Sequence, residues 1–86
     1  MLKVLKFSAA WCGPCKVLAP IFNEVKAAMS DVSFQEIDVD QNSDLAIKYA
    51  IRGVPTIIIE KDGQVVDRKS GVLMNPALTQ LINSHK

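Results

Sequence analysis

The sequence predicts an α/β fold in the order β-α-β-α-β-β-α. Short β-prone runs alternate with segments whose apolar residues recur every three or four positions, and no linker, repeat or low-complexity tract separates them. An Asp-Gly pair marks a hairpin that adds an antiparallel strand to an otherwise parallel crossover arrangement, so the sheet is mixed. At 86 residues the chain is read as one small domain spanning residues 1–86.

Residues 2–7, LKVLKF, are short and β-prone and form the first strand. Val17, Leu18, Ile21, Val25, Ala28 and Met29 then repeat at helical spacing and define one buried face. Pro20 lies inside that helix, where it removes a hydrogen bond and favours a kink. VSFQEIDV, 32–39, reads as a strand, and Asn42 or Ser43 caps a short helix that runs to about Ala50. TIIIE, 56–60, is a buried strand by its β-branched run, and Asp62-Gly63 turns the chain into QVVDRK, 64–69. Asn75 followed by Pro76 starts the last helix, with cap and first-turn proline each where they are favoured.

Hydrophobic residues make up 49% of the chain and the net charge is +1, a balance that supports a core and gives no evident disordered or nucleic-acid-binding segment, while the charge itself says little about partners. The apolar run at the start is broken by Lys3 and Lys6, too soon for a membrane span or a signal-peptide core. Ser8-Ala9-Ala10 has the look of a cleavage site, but cutting there would leave the cysteine segment as a new terminus. The expected location is therefore the cytoplasm, or the host cytoplasm for a viral source. In that compartment a close cysteine pair is more often catalytic or metal-binding than structural.

Both cysteines fall in AAWCGPCKVLAP, residues 9–20, at the junction of the first strand and its helix. Free backbone N–H groups and the positive end of the helix dipole favour an anion there. Cys12, at the helix start, is thus expected to ionise more readily than a free cysteine, and Cys15 lies one turn later and deeper. A thiolate on Cys12 can attack a substrate disulfide, after which Cys15 attacks the mixed disulfide and releases the reduced product. A structural staple is disfavoured, because so small a loop constrains little of the unfolded chain. Zinc would need two further ligands, and the only histidine is His85 near the chain end. No histidine directly follows Cys15, so the haem-attachment pattern is absent.

WCGPCK, 11–16, resembles the active site of the thioredoxin family, including Trp11, Gly13, Pro14 and Lys16. The resemblance continues through DQN at 40–42, IRGVPT at 51–56, KDG at 61–63 and Gly71, and covers essentially the whole chain. It implies the minimal form of that fold, a four-stranded mixed sheet with helices on both faces. It also implies that Cys12 is the nucleophile, that Cys15 resolves, and that Pro55 is a cis-proline beside them. Trp11, Val54, Thr56 and the Ser70-Gly71-Val72 turn would then line the substrate groove.

Three departures from the family stand out. The usual thioredoxin has a further strand and helix before the position where this sequence starts, so strand 32–39 is expected at a sheet edge, where Glu36, Asp38 and Asp40 discourage pairing with another chain. Ser8 stands where the family commonly has an aromatic residue, which is expected to loosen the surroundings of Trp11. Lys6 matches the family's buried aspartate and Glu36 its nearby lysine, so the charges are exchanged. In the family the aspartate accepts the Cys15 proton; an ordinary lysine, protonated up to a pH of about 10, cannot. Glu36 is the substitute expected from the sequence, with Lys6 holding it ionised and tuning the thiols together with Gly13 and Pro14. Lys3 and Lys6 are an odd number apart, so they point to opposite faces of their strand.

The resemblance implies a reductase of protein disulfides with no bound cofactor, regenerated by a thioredoxin reductase-like donor, with no direct nucleic-acid or membrane partner. The alternatives are a glutaredoxin-like protein, an oxidant or isomerase on the same scaffold, or a redox-independent subunit of a larger assembly such as a replication complex.

Overall fold

A computed structural model describes all residues, Met1–Lys86. Its elements are β1 (Leu2–Ser8), α1 (Gly13–Ala28), β2 (Ser33–Asp38), α2 (Ser43–Lys48), β3 (Thr56–Lys61), β4 (Gln64–Ser70) and α3 (Asn75–Asn83). The strands form one mixed sheet in the order β2-β1-β3-β4. β1 pairs parallel with β2 and antiparallel with β3, and β3 pairs antiparallel with β4. No helix is long and apolar enough to cross a membrane.

Alternation along the two central strands gives each face of the sheet its own core. Leu2, Val4, Ile57 and Ile59 pack against Leu18, Phe22 and Val25 of α1 and against Leu78 and Ile82 of α3. On the opposite face Leu5, Phe7, Ile37 and Ile58 pack against Leu45 and Tyr49 of the α2 region. β3 is buried on both faces, which explains why its apolar run is continuous and does not alternate.

The buried stripe of α1 is Cys15, Leu18, Phe22 and Val25, continued by Met29 at the C-cap. Val17, expected inside, is 55% exposed, and Ala28 also faces outward, so the helix is rotated from the face its apolar spacing suggested. Pro20 is accommodated within α1, on its exposed side. Asn42 occupies the N-cap position of α2 but makes no side-chain cap, because its Nδ2 donates to the Asp38 carbonyl at 3.1 Å. α2 stops two residues before Ala50, which takes a left-handed φ of 54°. Ala50 N–H bonds back to Ile47 O and Ile51 N–H to Ala46 O, the paired bonds of a Schellman cap. At α3 the cap position belongs to Met74, and Asn75 is the first helical residue. Its side chain instead donates to Glu24 of α1 and accepts from Thr79 Oγ1.

Tyr49 fixes the end of α2 to the sheet. Its ring lies 5.4 Å from that of Phe7, and its hydroxyl donates to Glu60 Oε2 at 2.8 Å. Burial, then the bond to Glu60 and that carboxylate's charge, raise its pKa above the ordinary tyrosine value. A raised pKa means the unfolded chain ionises first, so this contribution to stability is complete below a pH of about 10 and is lost as the pH rises through the folded value. Tyr49 is the only tyrosine, so tyrosinate absorbance reads it alone. The midpoint is expected above that of free tyrosine and should move down in Glu60→Gln; a midpoint at or below the free value would contradict the contact.

Candidate active site around Cys12 and Cys15

The chain leaves β1 at Ser8, turns through Ala9, Ala10 and Trp11, and enters α1 directly after Cys12. Cys12 is the N-cap, with extended backbone (φ −90°, ψ 113°), and Pro14 follows in the first turn, where a missing N–H costs nothing. The cap acceptor is sulfur: Cys12 Sγ receives the Cys15 N–H at 3.1 Å. An atom in that place gains both a direct donor and the positive end of a 16-residue helix, which favours negative charge on sulfur.

Cys12 and Cys15 are joined as a disulfide, with Cα atoms 5.3 Å apart. The sequence placed Cys12 at the surface and Cys15 deeper, but in this oxidised form both are 4% exposed. The pair rests on Ala9, with Val39 and Val54 packed against it, and that apolar bed covers both sulfurs. Cys12 Sγ lies 3.7 Å from the Val54 carbonyl oxygen, a contact its thiol can use as a weak donor once the pair is reduced. The cysteines thus differ in what surrounds them and not in depth.

The Val54–Pro55 peptide bond is cis. Thr56, the first residue of β3, is buried and its hydroxyl donates to Gly53 O at 2.6 Å, tying down the loop before Pro55. Gly71 has φ 92°, a conformation costly for residues with a Cβ, and its N–H bonds to Pro55 O at 2.9 Å. That bond holds the turn carrying half-exposed Val72 beside Pro55. Gly13 has open space where a side chain would project.

Trp11 is 70% exposed, yet its Nε1 donates to Asp40 Oδ2 at 2.9 Å, which restrains the indole at the surface. With Val39, Ala46, Ile51, Gly53 and Val54 it borders an open apolar depression of about 160 Å³. Trp11 and Val54 are expected here from the family resemblance; Ile51 and Gly53 lie in the matching IRGVPT stretch without a role assigned to them, and Asp40, part of DQN and an expected edge charge, turns out to be the partner of the indole. The indole N–H requires an acceptor, but sequence spacing alone did not identify Asp40.

Beneath the cysteines on the α1 face, Lys6 is 3% exposed while Lys3 is in solvent. Parallel pairing sets Lys6 beside Glu36, and Lys6 Nζ meets Glu36 Oε1 at 2.8 Å. The ammonium also lies 5.0 Å from the centre of the Phe22 ring, a cation–π contact that helps compensate its burial. Ser8 leaves its opening on this side and not around Trp11: it borders a hollow of about 230 Å³ together with Lys6, Cys15, Lys16 and Asp38.

Comparisons with known proteins agree on one family. The Thioredoxin family model matches residues 1–84. A thioredoxin from Mycoplasmoides gallisepticum is 42% identical over 79 residues, covering 92% of this chain and 79% of the relative. The X-ray structure of Fasciola hepatica thioredoxin superposes with a TM-score of 0.93 at 41% identity, over 99% of this chain and 81% of that one. A further solved chain comes from work on thiol resolution in yeast mitochondrial 1-Cys peroxiredoxin via glutathione and thioredoxin systems. It superposes with a TM-score of 0.90 at 34% identity, over 96% of this chain and 77% of that one.

Proposed function

Because the chain belongs to the thioredoxin family and is a thiol–disulfide oxidoreductase that reduces protein disulfides, we propose that Cys12 is its attacking thiol and Cys15 its resolving thiol. The observation that carries this assignment is the Cys15 N–H bonded to Cys12 Sγ at the start of α1. In the dithiol form the Cys12 thiolate attacks one sulfur of a substrate disulfide, forming a mixed disulfide and expelling the other substrate sulfur as a thiolate. Cys15 then attacks Cys12 Sγ, the bond from Cys12 to the substrate breaks, and its electron pair leaves on the second substrate sulfur. The substrate gains two electrons and two protons, and Cys12 and Cys15 are left joined as found here.

The chemistry uses no resident cofactor, and a reductase-like donor of two electrons restores the dithiol. The reading places the protein in the cytoplasm, where such donors operate. Its substrates are disulfide-bonded proteins whose chain lies along the surface formed by Trp11, Val54, Gly71 and Val72; Pro55 and Thr56, expected from the sequence to line this groove, are buried and support it from beneath. The apolar depression beside Trp11 accepts a side chain flanking the substrate cysteine. Gly13 and Pro14 shape the helix entrance, and Lys6, paired with Glu36, adds a buried positive charge that tunes the thiols.

Reduction of a model protein disulfide, with dithiothreitol or a reductase as electron donor, tests the function; no rate above the donor alone would refute it. The groove has its own test in Asp40→Ala, which frees the Trp11 indole. One lost hydrogen bond is worth about 1 kcal/mol, so KM for a protein substrate should rise about fivefold. The rate toward a small aromatic disulfide should hold, and an equal loss toward both would place Trp11 outside the docking surface.

A further inference from the structure

Cys15 has to lose its proton before it can attack, because the thiolate is the nucleophile. Bulk solvent scarcely reaches Cys15, which is 4% exposed. Its opening is the hollow of about 230 Å³ on the α1 side of the sheet, roomy enough for several water molecules. Three charged side chains line that hollow: Lys6 from β1, Lys16 from α1 and Asp38 at the end of β2. Neither ammonium can accept a proton, so Asp38 is the base facing Cys15. Glu36 stands behind Lys6, engaged with its ammonium and 49% exposed, and it does not border the hollow.

The register explains this exchange of roles. β1 and β2 run parallel with Lys6 opposite Glu36 and Ser8 opposite Asp38, all four on the face toward α1. Ser8 is small, so no bulk stands between Asp38 and the cysteine end of the hollow, and its hydroxyl can pass a proton along. Asp38 Oδ1 accepts the Asp40 N–H at 2.8 Å, which fixes the carboxylate.

We propose that Asp38 is the proton relay of the resolving step. The inference rests on the assignment of Cys15 as the resolving thiol. Water in the hollow carries the proton from Cys15 Sγ to the Asp38 carboxylate as Cys15 Sγ bonds to Cys12 Sγ. The bond between Cys12 and the substrate sulfur breaks, its electron pair leaves on that sulfur, and Asp38 returns the proton through water to solvent. Lys6 and Lys16 hold positive charge beside the sulfur that becomes anionic.

Stopped-flow reaction of the reduced protein with an aromatic disulfide that releases a coloured thiolate separates the two steps. The first release reports attack by Cys12, and the second reports attack by Cys15. The leaving thiolate is weakly basic, so it needs no proton of its own. Asp38→Asn keeps an oxygen for the Asp40 N–H while removing the base. It should slow the second release about tenfold near pH 7, with the deficit closing as the pH passes the ordinary cysteine value of about 8.5, and leave the first release within about twofold. Asp38→Glu should restore most of the rate, and Glu36→Gln should cost less than Asp38→Asn. A second release that is unchanged or faster in Asp38→Asn overturns the relay, because loss of a negative charge alone would favour the Cys15 thiolate. Equal slowing of both releases, or a larger effect from Glu36→Gln, overturns it as well. Absence of a first release in the unmodified protein would instead remove the assignment of Cys12.

Discussion

Cys12→Ser is expected to abolish protein-disulfide reduction, lowering the rate on the order of a thousandfold or more to the background of the donor. Serine keeps an oxygen that can accept the Cys15 N–H, so the start of α1 should survive and the loss reports chemistry. A hydroxyl neither ionises near neutral pH nor forms a disulfide. Cys15→Ser should behave differently, because the cap sulfur and its helix remain. It should attack substrate once and stay attached, accumulating a mixed disulfide through Cys12 that dithiothreitol cleaves. Mass spectrometry of the trapped species decides between the two cysteines. Trapping by Cys12→Ser and not by Cys15→Ser would reverse their roles.

Phe22→Ala is expected to have the largest effect on stability. The ring is fully buried, meets Phe34 edge-on at 5.5 Å between centroids, and lies under the Lys6 ammonium. Truncation costs about 3–5 kcal/mol for lost transfer energy and the cavity left behind. It also removes the π face that helps the buried Lys6 tolerate its site, leaving Glu36 as the remaining partner. Small domains hold about 5–15 kcal/mol in total, so the variant should be close to unfolding at room temperature. Urea titration of the oxidised protein measures this, with Phe22→Leu as the milder comparison. A loss below about 1 kcal/mol would mean that the core collapses around the gap and that Phe22 does not organise it.

Phe22 also shows where the sequence stopped being informative. Val17, Ile21 and Ala28 form one helical stripe, while Cys15, Leu18, Phe22, Val25 and Met29 form another beside it at intervals of three and four. Spacing alone cannot choose between neighbouring stripes; the one that is buried carries the larger side chains Leu18, Phe22 and Met29 with Val25, which pack on Leu2, Val4, Ile57 and Ile59 of the sheet. The order of elements and the cysteine pair were legible because strand periodicity, turn residues and the WCGPCK segment are local signals, whereas Trp11 and Val54 were placed together only through the family resemblance. What was not legible depends on tertiary neighbours. The Asn75 side chain is diverted from capping by Glu24 on another helix, and Trp11 finds Asp40 across the chain. Asp38 reads as an ordinary edge charge until the register with Ser8 and the packing of α1 place it beside a solvent-open hollow that Cys15 also borders. The pairing of Lys6 with Glu36 was anticipated from alternation and family position; which carboxylate faces Cys15 was not.

The placement of β1 in the interior of the sheet also bears on the order of folding. Both cysteines follow β1 directly, yet one of its partners, β3, comes about fifty residues later in the chain. Closing so long a loop is entropically costly before its contacts form, and folding dominated by such pairings is slow relative to helix formation. A chain emerging from the ribosome therefore displays both thiols, and can form the start of α1, while the loop that brings Val54, Pro55 and Thr56 to them is still being made. In that interval the cysteines are a reactive pair without a docking surface, and selectivity for protein substrates arrives only with β3.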